Sequence, residues 1–194
     1  IEMQKRILPM EDSEISAALK DSFVSSGIKV HNNSKVESID KLKTKIKVNV
    51  TTESESLQID GNIALLAIGV EGNINNIGLQ DIGVQSKNDS IIINNYCQTN
   101  ISNIYAIGDV AGPPWLAHKA SAQGHMVADL ICGERIHEVD YFNIPNCTYC
   151  QPQVASLGLT ESKAKDLGHN IKVGKFFFRA SGPVSYTHLT LPTT

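Results

Sequence analysis

Apolar positions near the start of the chain recur at helical spacing. Ile15, Ala18, Leu19 and Phe23 follow Asp12 and Ser13, either of which can cap a helix, and Gly27 supplies the stop. Residues 1–3 before this helix and 28–30 after it are short and β-like. Together they predict strand–helix–strand, the unit of a parallel α/β sheet. The period then changes to two. Ile46, Val48 and Val50 alternate with Lys45, Lys47 and Asn49, as expected of a strand with one wet face in an antiparallel hairpin, and residues 53–56 form its polar turn. Residues 63–68 are an unbroken apolar run ending at Gly69, which suits a strand buried on both faces. A loop rich in Gly and Asn follows to Leu79 and marks a domain crossing. Residues 91–93 and 104–109 read as further strands. The second leads through Gly108, Asp109, Gly112, Pro113 and Pro114 into a long helix with a stripe at Leu116, Ala120, Gly124, Val127 and Ile131 and a stop at Gly133. Ile144 and Pro145 open a new region, with a strand from Val154, a short helix at 161–167 and a strand at 171–178. No internal repeat is present.

Composition narrows the class. The chain has 194 residues, 41% hydrophobic and 19% charged, which is globular and large enough for one domain or parts of several. A net charge of −3 argues against nucleic acid or a polybasic membrane surface as partner. No apolar run approaches the roughly 20 residues that span a bilayer. Four cysteines are too few for a secreted disulfide framework at this length, so the expected setting is reducing: cytoplasmic, or the mitochondrial matrix in a eukaryote. The opening Ile1-Glu2-Met3 is no signal peptide and reads as the middle of a longer frame.

The densest chemistry lies between Thr99 and Gly124. A hydrophobic strand delivers Asp109 to its carboxyl end, where open α/β sheets bind ligands, and the carboxylate can accept a hydrogen bond from a polyol hydroxyl. Gly108 has no side chain, so backbone can approach a cofactor closely. The bland alternative is a strand ending in a helix-capping Asp. Beyond Pro114, the helix starting near Trp115, Leu116, Ala117 and His118 offers unpaired N–H groups and the positive end of its dipole. A reduced flavin would gain about 0.3–1 kcal/mol there.

Residues 99–124 resemble the second flavin-binding motif of the disulfide oxidoreductases, in the form found in the dihydrolipoamide dehydrogenase family. Ile7-Leu8-Pro9 followed by Asp12-x-Glu14-Ile15 is similar to that family too, and residues 144–161 resemble the start of its dimerisation domain. The likeness runs from Ile1 to about Arg179. It implies an α/β fold in pieces: residues 1–68 finish an NAD-binding Rossmann-like domain, 69–142 form the central FAD-contacting region, and 143–180 begin an α+β dimerisation domain. Residues 181–194 no longer follow the family and are expected to be a foreign tail. His188 there only superficially matches the family's late His-Pro-Thr segment.

By the same resemblance, Asp109 holds the ribityl chain of FAD beside Gly108. Trp115, Leu116, Ala117 and His118 line the isoalloxazine end, largely through backbone. Glu2 bonds the adenosine ribose of NAD and disfavours a 2′-phosphate, although from the residues alone it is merely a polar group at a strand end. Val36 and Gly69 pass the NAD through backbone or packing. One departure is Val70-Glu71-Gly72-Asn73, where most relatives have Arg and then Pro.

The resemblance implies a parent enzyme that oxidises dihydrolipoamide on the lipoyl domains of 2-oxoacid dehydrogenase or glycine-cleavage complexes, through a redox disulfide, FAD and NAD. The family's two GxGxxG motifs, CxxxxC disulfide and His–Glu pair have no counterpart in these residues. No catalytic residue and no metal ligand is therefore assigned, and the chain alone is expected to be inactive. The parent is a homodimer, and an incomplete interface domain weakens that expectation here. Cys147 and Cys150 supply only two metal ligands, and their β-rich surroundings differ from the helix start that a redox dithiol uses, so they are expected to be ordinary cysteines. Two alternatives stay open: another flavin disulfide oxidoreductase of the mercuric reductase or soluble transhydrogenase type, or a remnant that binds without catalysis.

Overall fold

The computed structural model describes residues 1–177. The expected foreign tail and the end of the last expected strand lie outside the described residues. The chain is mixed α/β and divides into two compact units after Gly158.

In the first unit, helix α1 spans Ser13–Ser25. It starts after Asp12, as the sequence predicts, and Gly27 beyond its end has a φ of 89°. Its buried residues are Ser16 and Leu19, while Ile15 and Ala18 are exposed, so the inward stripe is narrower than the apolar pattern suggested. The expected strands at 1–3 and 28–30 are not strands. Instead the Glu2 N–H donates to the His31 carbonyl (2.8 Å), and the Ser34 and Asn33 N–H groups donate to Glu2 and Gln4 (each 3.0 Å).

Three strands follow as an antiparallel meander: β1 Lys35–Lys41, β2 Ile46–Thr51 and β3 Ser56–Gly61. The half-wet strand read from 46–50 is β2, and Val50 is its buried residue. A polar row crosses the sheet, in which Asn49 Nδ2 donates to Ser38 and Asp40 and Gln58 Nε2 donates to Asn49 Oδ1.

The apolar run 63–68 corrects the sequence reading. It has no regular structure, and Ile63, Leu65 and Ile68 are 87%, 89% and 94% exposed. An apolar strand is stable only with strands beside it and layers over both faces. No described strand pairs with it.

Residues 72–132 carry the main core. Strands β4 (Ser86–Lys87) and β5 (Ser90–Ile91) form a tight hairpin whose turn residues, Asn88 and Asp89, have φ of 50° and 55°, the twist that two-residue hairpins prefer. Val84, Ile91 and Ala106 are buried together with Ile93, Ile104 and Val110 packed on them. Cys97, Met126 and Val127 form a second cluster. The expected strands at 91–93 and 104–109 therefore supply core side chains, but their ladder reduces to β5 and a single bridge between Gln98 and Tyr105, and Gly108 and Asp109 wind into a 3-10 turn instead. Helix α2, Ala117–Cys132, ends at Gly133 in the left-handed conformation, as predicted.

A 3-10 turn at Tyr141–Asn143 leads to the antiparallel pair β6 (Asn146–Thr148) and β7 (Val154–Ser156). Cys147 lies in β6, and the Cys150 thiol points at the carbonyls of Pro152 (3.0 Å) and Thr148 (3.7 Å). In the second unit, α3 (Glu161–Asp166) matches the expected short helix, with the Thr160 hydroxyl accepting from the Lys163 N–H. Residues 171–177 are irregular rather than a strand.

Candidate functional site

The site begins with a sharp change of direction. Ile107 is extended (φ −130°, ψ 163°), and the next four residues, Gly108–Ala111, wind into a single 3-10 turn. Gly108 has a φ of 74°, and a Cβ there would lie 3.3 Å from the Ala120 side chain. The sequence reading gave Gly108 a role in cofactor approach. The structure adds two requirements of its own, left-handed backbone and close helix packing. Asp109 occupies the first turn of the 3-10 segment and is exposed. It is the N-cap of neither helix, since those caps are Ile107 and Leu116, so the helix-capping alternative does not describe it.

Behind this turn, α2 presents an unexpected face. Its buried residues are Lys119, Gln123, Met126 and Val127, about one position round from the predicted stripe. Lys119 is fully buried, and its Nζ donates to the carbonyls of Gly108 (2.9 Å) and Gly112 (2.7 Å). One turn on, Gln123 Oε1 accepts the Gly108 N–H at 2.8 Å, and Gln123 Nε2 donates to the Tyr141 hydroxyl at 2.8 Å. Burial holds the Lys119 ammonium below its usual pKa, opposed by attraction to Asp109 and Cys97. Burial likewise pushes the Cys97 thiol up, opposed by Lys119.

At the start of α2, Leu116 is extended (φ −136°, ψ 130°) and provides no side-chain cap. The first N–H groups of the helix are thus left for solvent or a ligand. Trp115 is exposed and Leu116 half-buried; Ala117 and His118 are exposed. His118 Nε2 lies 2.7 Å from the Pro145 carbonyl, so that nitrogen carries the proton. The ring acts as a tether between α2 and the segment entering β6. Asp109 and residues 115–118 therefore lie at the two ends of one short connection.

The second group of expected residues is looser. Glu2 Oε1 accepts from the Gln4 N–H at 2.7 Å, and the Glu2 backbone is bonded to residues 31 and 34 at the entrance to β1. Val36 follows in β1, at an irregularity in its register. Gly69 lies on the exposed segment, with open space where a Cβ would sit. A depression lined by Ile74, Leu79, Val84 and Ser86 contains none of the site residues.

The model of the pyridine nucleotide-disulphide oxidoreductases matches residues 1–124, and that of their dimerisation domain matches residues 144–190. The chain belongs to this family. Dihydrolipoyl dehydrogenase of Rhizobium etli is 43% identical over 184 residues, and that of Zymomonas mobilis is 42% identical over 190, each alignment covering 94% of this chain. The chain spans 38% and 40% of those relatives' lengths. Among solved structures, LpdA of Mycobacterium tuberculosis superposes with a TM-score of 0.76 at 25% identity, over 86% of this chain and 36% of that one.

In this chain, sequence reasoning missed Lys119, Gln123 and Tyr141. A signal existed: Lys119, Gln123, Met126 and Val127 are spaced four, three and one apart on a single helical face. Two polar members hid it.

Proposed function

We propose that this chain is the flavin-facing and interface-entry part of a dihydrolipoyl dehydrogenase, which oxidises protein-bound dihydrolipoamide and reduces NAD. The observation that carries this reading is the Gly108–Asp109 turn set against the uncapped start of α2, in a chain whose relatives of about 40% identity bear that name. The residues suit FAD. The exposed Asp109 carboxylate is an acceptor for a polyol hydroxyl, and the free N–H groups from Ala117 onward suit the electron-rich end of the ring. Trp115 and Leu116 shield that end from water. Glu2 presents a carboxylate toward an adenosine ribose, with Val36 beside the same β1 entrance and Gly69 offering backbone. FAD would supply the two-electron relay between dithiol and pyridine nucleotide, and the protein's part is binding and orientation.

The dimerisation-domain match supports a homodimeric parent, and lipoyl domains are its proposed partners. Among the described residues no helix is long and apolar enough to cross a membrane. The substrate is tested by the coding sequence around this frame. An upstream CxxxxC favours dihydrolipoamide, whereas a flavin motif without it favours the transhydrogenase alternative. An assay of the purified 194-residue chain with dihydrolipoamide, FAD and NAD is expected to show no turnover, because its residues include neither disulfide nor base. Measurable NADH formation would contradict that assignment.

A further inference from the structure

We propose that Lys119 and Gln123 are positioning residues that hold the backbone on both sides of Asp109 and so fix its carboxylate for the flavin's polyol chain; this rests on the flavin reading above. The turn has glycine at both ends, Gly108 and Gly112, and both are buried. The bond that closes the turn, Gly112 N–H to the Asp109 carbonyl, uses neither the Gly108 N–H nor the carbonyls of Gly108 and Gly112. Lys119 and Gln123 satisfy all three. Among the described residues Lys119 Nζ bonds carbonyls and no carboxylate, and a fully buried ammonium costs desolvation that a methionine of similar shape would avoid. What the ammonium does, and an apolar side chain does not, is grip two carbonyls at once, one on each side of Asp109. Tyr141 fixes the Gln123 amide so that its oxygen faces Gly108. Neither side chain is exposed, so both act through Asp109 rather than on the ligand.

A purely structural role and a positioning role separate in a double-mutant cycle read by FAD affinity. Quenching of FAD fluorescence is measured for the 194-residue chain, for Lys119→Met, Gln123→Leu, Gln123→Glu and Asp109→Ala, and for Lys119 and Gln123 substitutions combined with Asp109→Ala. Loss of either clamp residue is expected to weaken FAD by roughly 10-fold or more. Gln123→Glu recovers most of what Gln123→Leu loses, because a carboxylate still accepts the Gly108 N–H. In the Asp109→Ala background the clamp substitutions cost little more, since the group they position is gone. Hydrogen exchange at residues 108–112, without FAD, is expected to quicken in Lys119→Met and Gln123→Leu but not in Asp109→Ala.

Additive losses across the cycle, or unchanged exchange in the clamp variants, overturn the proposal while leaving the flavin reading intact. Unchanged affinity in Asp109→Ala, or no FAD binding by the parent chain, overturns the flavin reading and the proposal with it. If circular dichroism shows Lys119→Met unfolded, the Gln123→Leu and Gln123→Glu pair decides by the same criteria.

Discussion

At the scale of residues, the site rests on a few side chains whose surroundings differ sharply. Asp109 faces water, while Lys119 behind it and the nearby Cys97 are both fully buried. Burial gives the last two opposite pH signatures. The folded Cys97 thiol holds its proton above the ordinary value of 9.0, so the unfolded chain releases that proton first. Its contribution to stability is complete below pH 9 and is lost as pH rises through the folded-state value. Lys119 is lowered from 10.5, so the unfolded chain binds the extra proton and this contribution grows as pH rises toward 10.5. Urea unfolding of Cys97→Ala is expected to start about 1 kcal/mol less stable at neutral pH and to fall less steeply than the parent above pH 9. Parallel curves would remove Cys97 from the account. Asp109 and Gly108 were legible in the sequence because their type and order form a motif. Lys119 and Gln123 were not, because polar residues on a helix are read as its solvent face unless their partners are known.

Elements were legible where they are self-contained and obscure where they depend on neighbours. Both long helices form where their spacing places them and end at their glycine stops, although the faces they bury differ from their apolar stripes, and β2 follows its period-two alternation. Residues 28–30, 63–68 and 171–177 carry strand-like composition, yet none forms a ladder among the described residues, because a strand exists only with a partner to bond. The region at 70–73 behaves differently. It was read as a departure in a loop, but Gly72 is buried there, donates its N–H to Asp89 at 3.1 Å and leaves no room for a side chain. A Cβ on Gly72 would lie 2.2 Å from the Asp89 carbonyl oxygen at the tip of the β4–β5 hairpin. Gly72→Ala is therefore expected to destabilise the first unit by about 1–3 kcal/mol, measured as a lowered urea midpoint. An unchanged midpoint would show that the hairpin yields freely.

For the whole molecule, the run at 63–68 lies exposed in a chain that spans about two fifths of its relatives' length. An uncharged, unpaired apolar segment is an association hazard. Light scattering of the purified chain is expected to rise with concentration, and the pair Leu65→Lys and Ile68→Lys to suppress that rise. Scattering indifferent to both substitutions would place the association elsewhere. The central claim concerns the turn at Asp109 and the start of α2 that follows it. The direct test is equilibrium binding of FAD to the 194-residue chain and to Asp109→Ala. The account predicts weak binding, on the order of 0.1–1 mM, reduced roughly 10-fold or more by the substitution. No binding by the parent chain, or equal binding by both, would contradict it.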